Sequence, residues 1–324
     1  MTDAALPSPV RDRMAIYRDP RILRRALPAV SLAAILIAIF LVNDRAMSYR
    51  GLDLMLKYAM PIAFATIAQM FILTVNDLDL STGAFVGLVA CIAGTWLVDQ
   101  PLLCILLLAA CIAAYAAIGA LIHVRRLPSI VVTLGMSFVW LGIAVILMPT
   151  PAGTVPEWLK ALMSWKSPLI PFPILACAAI ALVAHIGLME SSYGAVLRGA
   201  GGNATAIDRA GWSLLKIRML MYALAGLFNV LAGLALIGLT TSPDAHIADR
   251  YTLLSIAGVI LGGGEFVGGR VSPMGAVIGA VTLTLTGSFL IFMRISPDWQ
   301  IGAQGAVLIV VLALRALIKL REGK

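Results

Sequence analysis

Ten predominantly apolar runs occupy almost the whole of this chain, and nine of them are 17–23 residues long. An α-helix needs about that length to cross the hydrocarbon core of a bilayer. The runs lie near 26–43, 55–75, 82–98, 102–124, 128–148, 168–189, 217–239, 251–264, 273–293 and 301–319. The eighth is too short for a full crossing and ends in Gly262-Gly263-Gly264. It is expected to be a half-helix, or a tilted span finished by irregular backbone buried in protein. A soluble fold fails on composition: of 324 residues, 61% are hydrophobic and 12% are charged, against roughly a quarter charged in soluble domains. The expected fold is an all-α polytopic membrane protein of about ten transmembrane helices, at least one short or broken.

Lys and Arg set the orientation. With the N-terminus inside, the inside segments carry 17 of these residues and the outside segments 7. Both termini are therefore expected in the cytoplasm, and the net charge of +8 reads as a topology signal, not as a nucleic-acid footprint. The first run reads as an uncleaved span, since no small-residue cleavage site follows it. The domain reading is a basic segment at 1–25, one transmembrane domain at 26–320 and a short tail at 321–324. An outside connection of about 20 residues is punctuated by Pro149, Pro151, Pro156, Pro168, Pro171 and Pro173.

Enzyme chemistry is not evident. There is no G-x-x-x-x-G-K-[ST] loop to cradle a nucleotide phosphate, no His-Glu-x-x-His and no Gly-x-Ser-x-Gly. No catalytic or metal-binding residue is assigned. Cys91, Cys104, Cys111 and Cys177 all fall inside spans without a close pair or a histidine cluster, so they read as apolar filler. Gly262–Arg270 has the glycines of a dinucleotide loop but follows no strand. Gly83 with Gly87, Gly275 with Gly279, and Gly226 with Gly233 offer small surfaces for helix–helix contact, within the bundle or toward a second chain.

The polar insert Ser191–Arg218 stands apart. It spends 28 residues between two apolar runs, is net positive, and carries Gly194, Gly199, Gly201 and Gly202. A connection of that length is expected to be a contact surface on the cytoplasmic side, a loop about 191–217.

Three segments resemble one family. Leu73-Thr74-Val75-Asn76-Asp77-Leu78-Asp79-Leu80-Ser81-Thr82-Gly83 resembles the G-I-D-L-S-V-G signature of the ribose-type permease subunits of bacterial ABC importers. Gly194, Gly201-Gly202-Asn203, Ala206 and Gly211 match that family's loop pattern. Val259-Ile260-Leu261-Gly262-Gly263, Gly268-Gly269, Gly275 and Gly279 match its glycine-rich stretch. Asp77 departs from the family's Gly, Trp212 from a small aliphatic residue, and Glu265 from Ser or Thr.

The resemblance implies a permease subunit in the bacterial inner membrane carrying a monosaccharide or similar polyol. It would work as a homo- or heterodimer over two ABC ATPase domains and be fed by a periplasmic or lipid-anchored binding protein, which the outside loop could touch. ATP-Mg would sit in the partner ATPase, with no cofactor and no nucleic acid bound by this chain. A branched-chain amino-acid or nucleoside ABC permease is the alternative; an ion-driven secondary transporter should show broken helices with ion ligands in both halves. Within the insert, Ala204–Arg209 is expected to form the short helix that meets the ATPase, with Asn203 as its N-cap. Gly194, Arg198, Gly202, Ala206, Asp208, Arg209 and Gly211 complete the coupling set.

For the break before the third span, Asp79 with Ser81 is expected to cap the helix, and Asp77 to be solvated or paired with an Arg. Gln69, Thr74, Asp79, Ser81, Trp140 and Asn229, with Ser137, are the candidates for a translocation path.

Overall fold

The computed structural model describes residues 20–240 and 242–295, with isolated positions beyond. All regular structure among the described residues is helical. The helices are α1 (Pro20–Val42), α2 (Tyr49–Leu56), α3 (Ala59–Thr74), α4 (Thr82–Trp96), α5 (Pro101–Arg125), α6 (Ser129–Leu147) and α7 (Glu157–Met163). There follow α8 (Phe172–His185), α9 (Ser192–Gly202), α10 (Ala204–Arg209), α11 (Leu214–Leu239), α12 (Tyr251–Leu261) and α13 (Pro273–Phe292). Five helical stretches are long and apolar enough to cross a membrane, and a sixth span forms if α2 and α3, bent by 43° at their junction, are taken together. The expected tenth span at 301–319 lies largely outside the described residues, as do 1–19 and 321–324.

Local chemistry explains where helices begin and stop. Ser48, Ser191, Ser213 and Ser272 each accept, through Oγ, the N–H three residues on, which satisfies a backbone donor that the helix cannot. Proline opens α5 and α13 near the first position, where its missing N–H costs nothing. Arg126, at φ +52°, turns the chain out of α5 just ahead of Pro128.

Helix α3 is the axis of the bundle. All of its residues except Phe64 are buried, because it packs against α8, α11, α12 and α13 together. Helix α11 joins α3 to α4 and α5. By contrast α6 leaves Phe138 68% and Ile146 81% exposed, an apolar face suited to lipid or to another membrane helix.

The small-residue surfaces are spent inside this chain. A Cβ on Gly275 would run into the carbonyl of Gly262, and one on Gly279 into that of Gly258, so α12 and α13 meet backbone to backbone. Gly83 and Gly87 face the carbonyls of Ala248 and Ala245, Gly226 faces Tyr115 and Gly233 faces Val89. Close approach of this kind drives helix association where lipid offers no hydrophobic contrast.

Two expectations are corrected. The polar insert is not an open loop: α9 runs through Gly194, Gly199 and Gly201, ending at Gly202. The glycines are there for close contact, since a Cβ on Gly194 would strike the Leu188 carbonyl and one on Gly201 the Thr74 carbonyl. The helix of the first span starts at Pro20, and its apolar part, Ala26–Val42, lies where the first run was expected. The proline-punctuated outside connection contains α7, whose buried Leu159 lies against Gly238 of α11. The eighth span is the expected short helix, 11 residues ending at Leu261 with Gly262 as its C-cap.

Candidate functional site

The chain breaks from helix between Val75 and Ser81, at one end of α3, and every backbone N–H in that stretch has a partner. Val75 and Asp77 return to the Ile72 carbonyl and Asn76 to that of Leu73. Leu78 donates to Ser129 Oγ and Leu80 to Thr133 Oγ1, each at 3.1 Å. Gln69, its amide oriented nitrogen to carbonyl, bonds both the N–H and the C=O of Asp79, at 3.2 and 3.1 Å. Ser81 N donates to Asp79 Oδ1 at 2.7 Å. Irregular backbone at this depth survives only when so satisfied.

Asp79 is fully buried. Its Oδ1 accepts from Ser81 N and Ser81 Oγ, each at 2.7 Å, and its Oδ2 from Tyr115 OH at 2.7 Å and Thr82 Oγ1 at 3.1 Å. Four donors on two oxygens is the arrangement that an acceptor-only carboxylate satisfies. The expected capping role is corrected: neither Asp79 nor Ser81 takes a free N–H from the first turn of α4. Thr252 Oγ1 of α12 takes that of Gly83 at 2.8 Å. Asp79 is instead the hub of a cluster joining α3, α4, α5 and α11, with Asn229 Nδ2 donating to Tyr115 OH at 3.4 Å.

Trp140 stacks beside Tyr115 at 6.4 Å and meets Phe85 edge-on at 5.5 Å. Two buried polar atoms here have no hydrogen-bond partner, Trp140 Nε1 and Asn229 Oδ1. Of the path candidates, Gln69, Asp79, Ser81, Trp140 and Asn229 thus come together. Thr74 does not: its hydroxyl folds back on the Met70 carbonyl at 2.8 Å, and Ser137 folds back on that of Leu134.

Asp77 lies nearer the end of the bundle and is 7% exposed. Its carboxylate pairs with Arg218 Nε at 3.0 Å and accepts from Tyr222 OH at 3.2 Å. Of the two expectations for Asp77, pairing holds.

At the same end α10 stands clear of the bundle, with only Ile207 half-buried. Asn203 Oδ1 accepts the Ala206 N–H at 3.0 Å, the expected N-cap. Gly211, at φ +85°, closes the other end: its N–H bonds Asp208 O at 2.9 Å and the Trp212 N–H bonds Ile207 O at 3.2 Å, a Schellman arrangement that needs a left-handed residue. Ala206, Asp208 and Arg209 face outward. Arg198 and Gly202 belong to α9, where Arg198 contacts Met189 Sδ at 2.6 Å and Gly194 N donates to the Ser191 cap at 2.9 Å. Trp212 meets Tyr193 edge-on at 5.5 Å.

Sequence reasoning missed Thr82, Tyr115 and Tyr222, and left Arg218 as one more inside charge. A lone tyrosine within an apolar run was the available signal, since a buried hydroxyl requires a partner.

Comparison with known proteins identifies the family. The family described as "Branched-chain amino acid transport system / permease component" matches residues 51–312. The chain is 28% identical to a probable ABC transporter permease protein of Escherichia coli (strain K12), over 83% of this chain and 82% of that one. It is 26% identical to the ribose import permease protein of the same strain, over 87% and 91%. It is 25% identical to the autoinducer 2 import system permease protein of Photorhabdus luminescens, over 84% and 83%. No solved structure matches. With a match across most of its length and a bundle of apolar helices around a satisfied membrane break, this multi-pass membrane protein belongs to the family of transport-system permease components.

Proposed function

We propose that the chain is the permease subunit of an ABC importer in the bacterial inner membrane, carrying a monosaccharide or similar hydroxyl-rich solute. It would act with a second permease chain, two ATPase domains that bind ATP-Mg, and an external binding protein. The observation that carries this reading is α10, a six-residue helix capped at both ends and presenting its polar surface outward. An exposed element held so rigidly suits contact with another protein. Gly194, Arg198, Gly202, Asn203, Ala206, Asp208, Arg209 and Gly211 build and present it, and the relatives named for ribose and autoinducer 2 import favour a sugar-like cargo.

Among the path candidates, Gln69, Asp79 and Ser81 brace the break, and Thr74 closes α3. Trp140 and Asn229, with a free donor and a free acceptor, are the two suited to meet a hydroxyl group. The family description favours a second reading, an amino-acid cargo.

Uptake by vesicles containing the full complex separates these readings: labelled ribose should enter with ATP, and labelled leucine should not. Ala206→Trp should cut ribose uptake at least about tenfold while the chain still inserts. Unchanged uptake and unchanged complex assembly in that variant would remove the contact role of α10.

A further inference from the structure

We propose that Asn76 and Asp77 form a double clamp through which the position of α10 is imposed on the membrane break that carries Asp79. The proposal rests on the reading that α10 contacts an ATPase. Its warrant is an arrangement at two consecutive residues. Asn76 Nδ2 donates to the Gly201 carbonyl at 2.7 Å, and Asn76 Oδ1 accepts the Gly268 N–H at 2.9 Å. Asp77 holds Arg218 through Nε at 3.0 Å and a second guanidinium nitrogen at 3.3 Å. Gly201 precedes α10 and Arg218 follows it, so the exposed helix is tied on both flanks to adjacent residues of the break.

The clamp has little slack. Asn76 sits at φ +61°, a left-handed conformation that Asn tolerates better than other residues with a side chain, and it uses both its amide donor and its acceptor. A Cβ on Gly201 would collide with the Thr74 carbonyl, and one on Gly269 with the Arg198 carbonyl. The end of α9 is therefore pressed backbone to backbone on the end of α3 and on the turn at Gly268-Gly269. From Asp77 the charge-assisted bonds are the stronger kind. Two residues on, Asp79 is fixed in the cluster already described. A displacement of α10 that keeps these bonds must move the break with it.

Hydrogen–deuterium exchange on the complex in nanodiscs tests this without knowledge of the cargo. In the native complex, adding the ATPase should protect 203–210, and a non-hydrolysable ATP analogue should then change exchange at 75–82. Asn76→Gly keeps the backbone conformation and deletes both side-chain bonds. It should retain protection at 203–210 and lose the nucleotide response at 75–82. Arg218→Gln, which loosens the other tether, should do the same, and it carries the test alone should Asn76→Gly fail to assemble. A nucleotide response at 75–82 that survives in an assembled variant overturns the clamp and leaves the docking reading intact. Absence of protection at 203–210 in the native complex overturns the docking reading, and the clamp falls with it.

Discussion

At the scale of single residues, the cost of losing Asp79 is set by the donors it leaves behind. Hydroxyls on Ser81 and Thr82 can turn to other acceptors, but the Ser81 N–H and the Tyr115 hydroxyl are aimed at it from fixed positions, each at 2.7 Å. Each stranded buried donor costs about 1–3 kcal/mol. Asp79→Ala should therefore destabilise the chain by about 3 kcal/mol or more, beyond the ~1 kcal/mol of a lost helix cap. Asp79→Asn keeps an acceptor for the Ser81 N–H, and its amide nitrogen can donate to the Tyr115 and Thr82 hydroxyl oxygens that face the other carboxylate oxygen. That variant should lose about 1–2 kcal/mol and keep most uptake. Thermal unfolding in detergent together with vesicle uptake distinguishes bracing from transport. If Asp79→Asn is stable yet abolishes uptake, the carboxylate acts on the cargo or a proton, and the bracing role is wrong.

At the scale of elements, glycine does opposite things in different helices. On α13, Gly279 faces the Gly258 carbonyl of α12, whereas a Cβ on Gly142 of α6 would meet nothing within 4 Å. Gly279→Val should pry α12 from α13 and cost about 1–3 kcal/mol or more. Gly142→Ala should be neutral or stabilise by about 0.5–1 kcal/mol, because Ala orders more readily in a helix; equal melting temperatures for the two variants would refute the packing argument. The same duality explains what the sequence could and could not reveal. Apolar runs marked most spans because bilayer thickness sets helix length. The glycines of the insert read as a loop because a residue that frees the backbone and one that admits a neighbour are the same residue. Helix α7 was hidden in a proline-rich stretch where its seven residues carry no periodicity. Local capping at Asn203 was readable within four residues. The Tyr115–Asp79 and Arg218–Asp77 contacts, 36 and 141 residues apart, depend on packing that no local pattern encodes.

At the scale of the whole molecule, the two ends of the bundle are built differently, and that difference predicts which faces the cytoplasm. One end gathers α9, α10, the membrane break, Arg125, Arg126, Arg270 and the Asp77–Arg218 pair. At the other, Tyr49 OH donates to the Ser167 carbonyl, Thr154 N to that of Gly94 and Ala152 N to that of Pro243. Helix α8 separates the connection holding Ser164 from the insert holding Ala206, so these two residues lie on opposite sides if the bundle spans a bilayer. The Lys and Arg bias of the sequence, 17 to 7 with the N-terminus inside, predicts that the α10 end faces inside, where an ATPase would meet it. Native Cys91, Cys104 and Cys177 are buried and Cys111 is half-buried, so their background labelling by a charged reagent should be low. A membrane-impermeant maleimide should then label Ala206→Cys in inverted vesicles and Ser164→Cys in right-side-out ones. The purified chain alone should hydrolyse no ATP, and addition of a cytoplasmic ATPase should shield the cysteine at 206 but not the one at 164. Labelling of Ala206→Cys from the external side would put α10 out of reach of any cytoplasmic engine, and the importer reading would fail with the orientation.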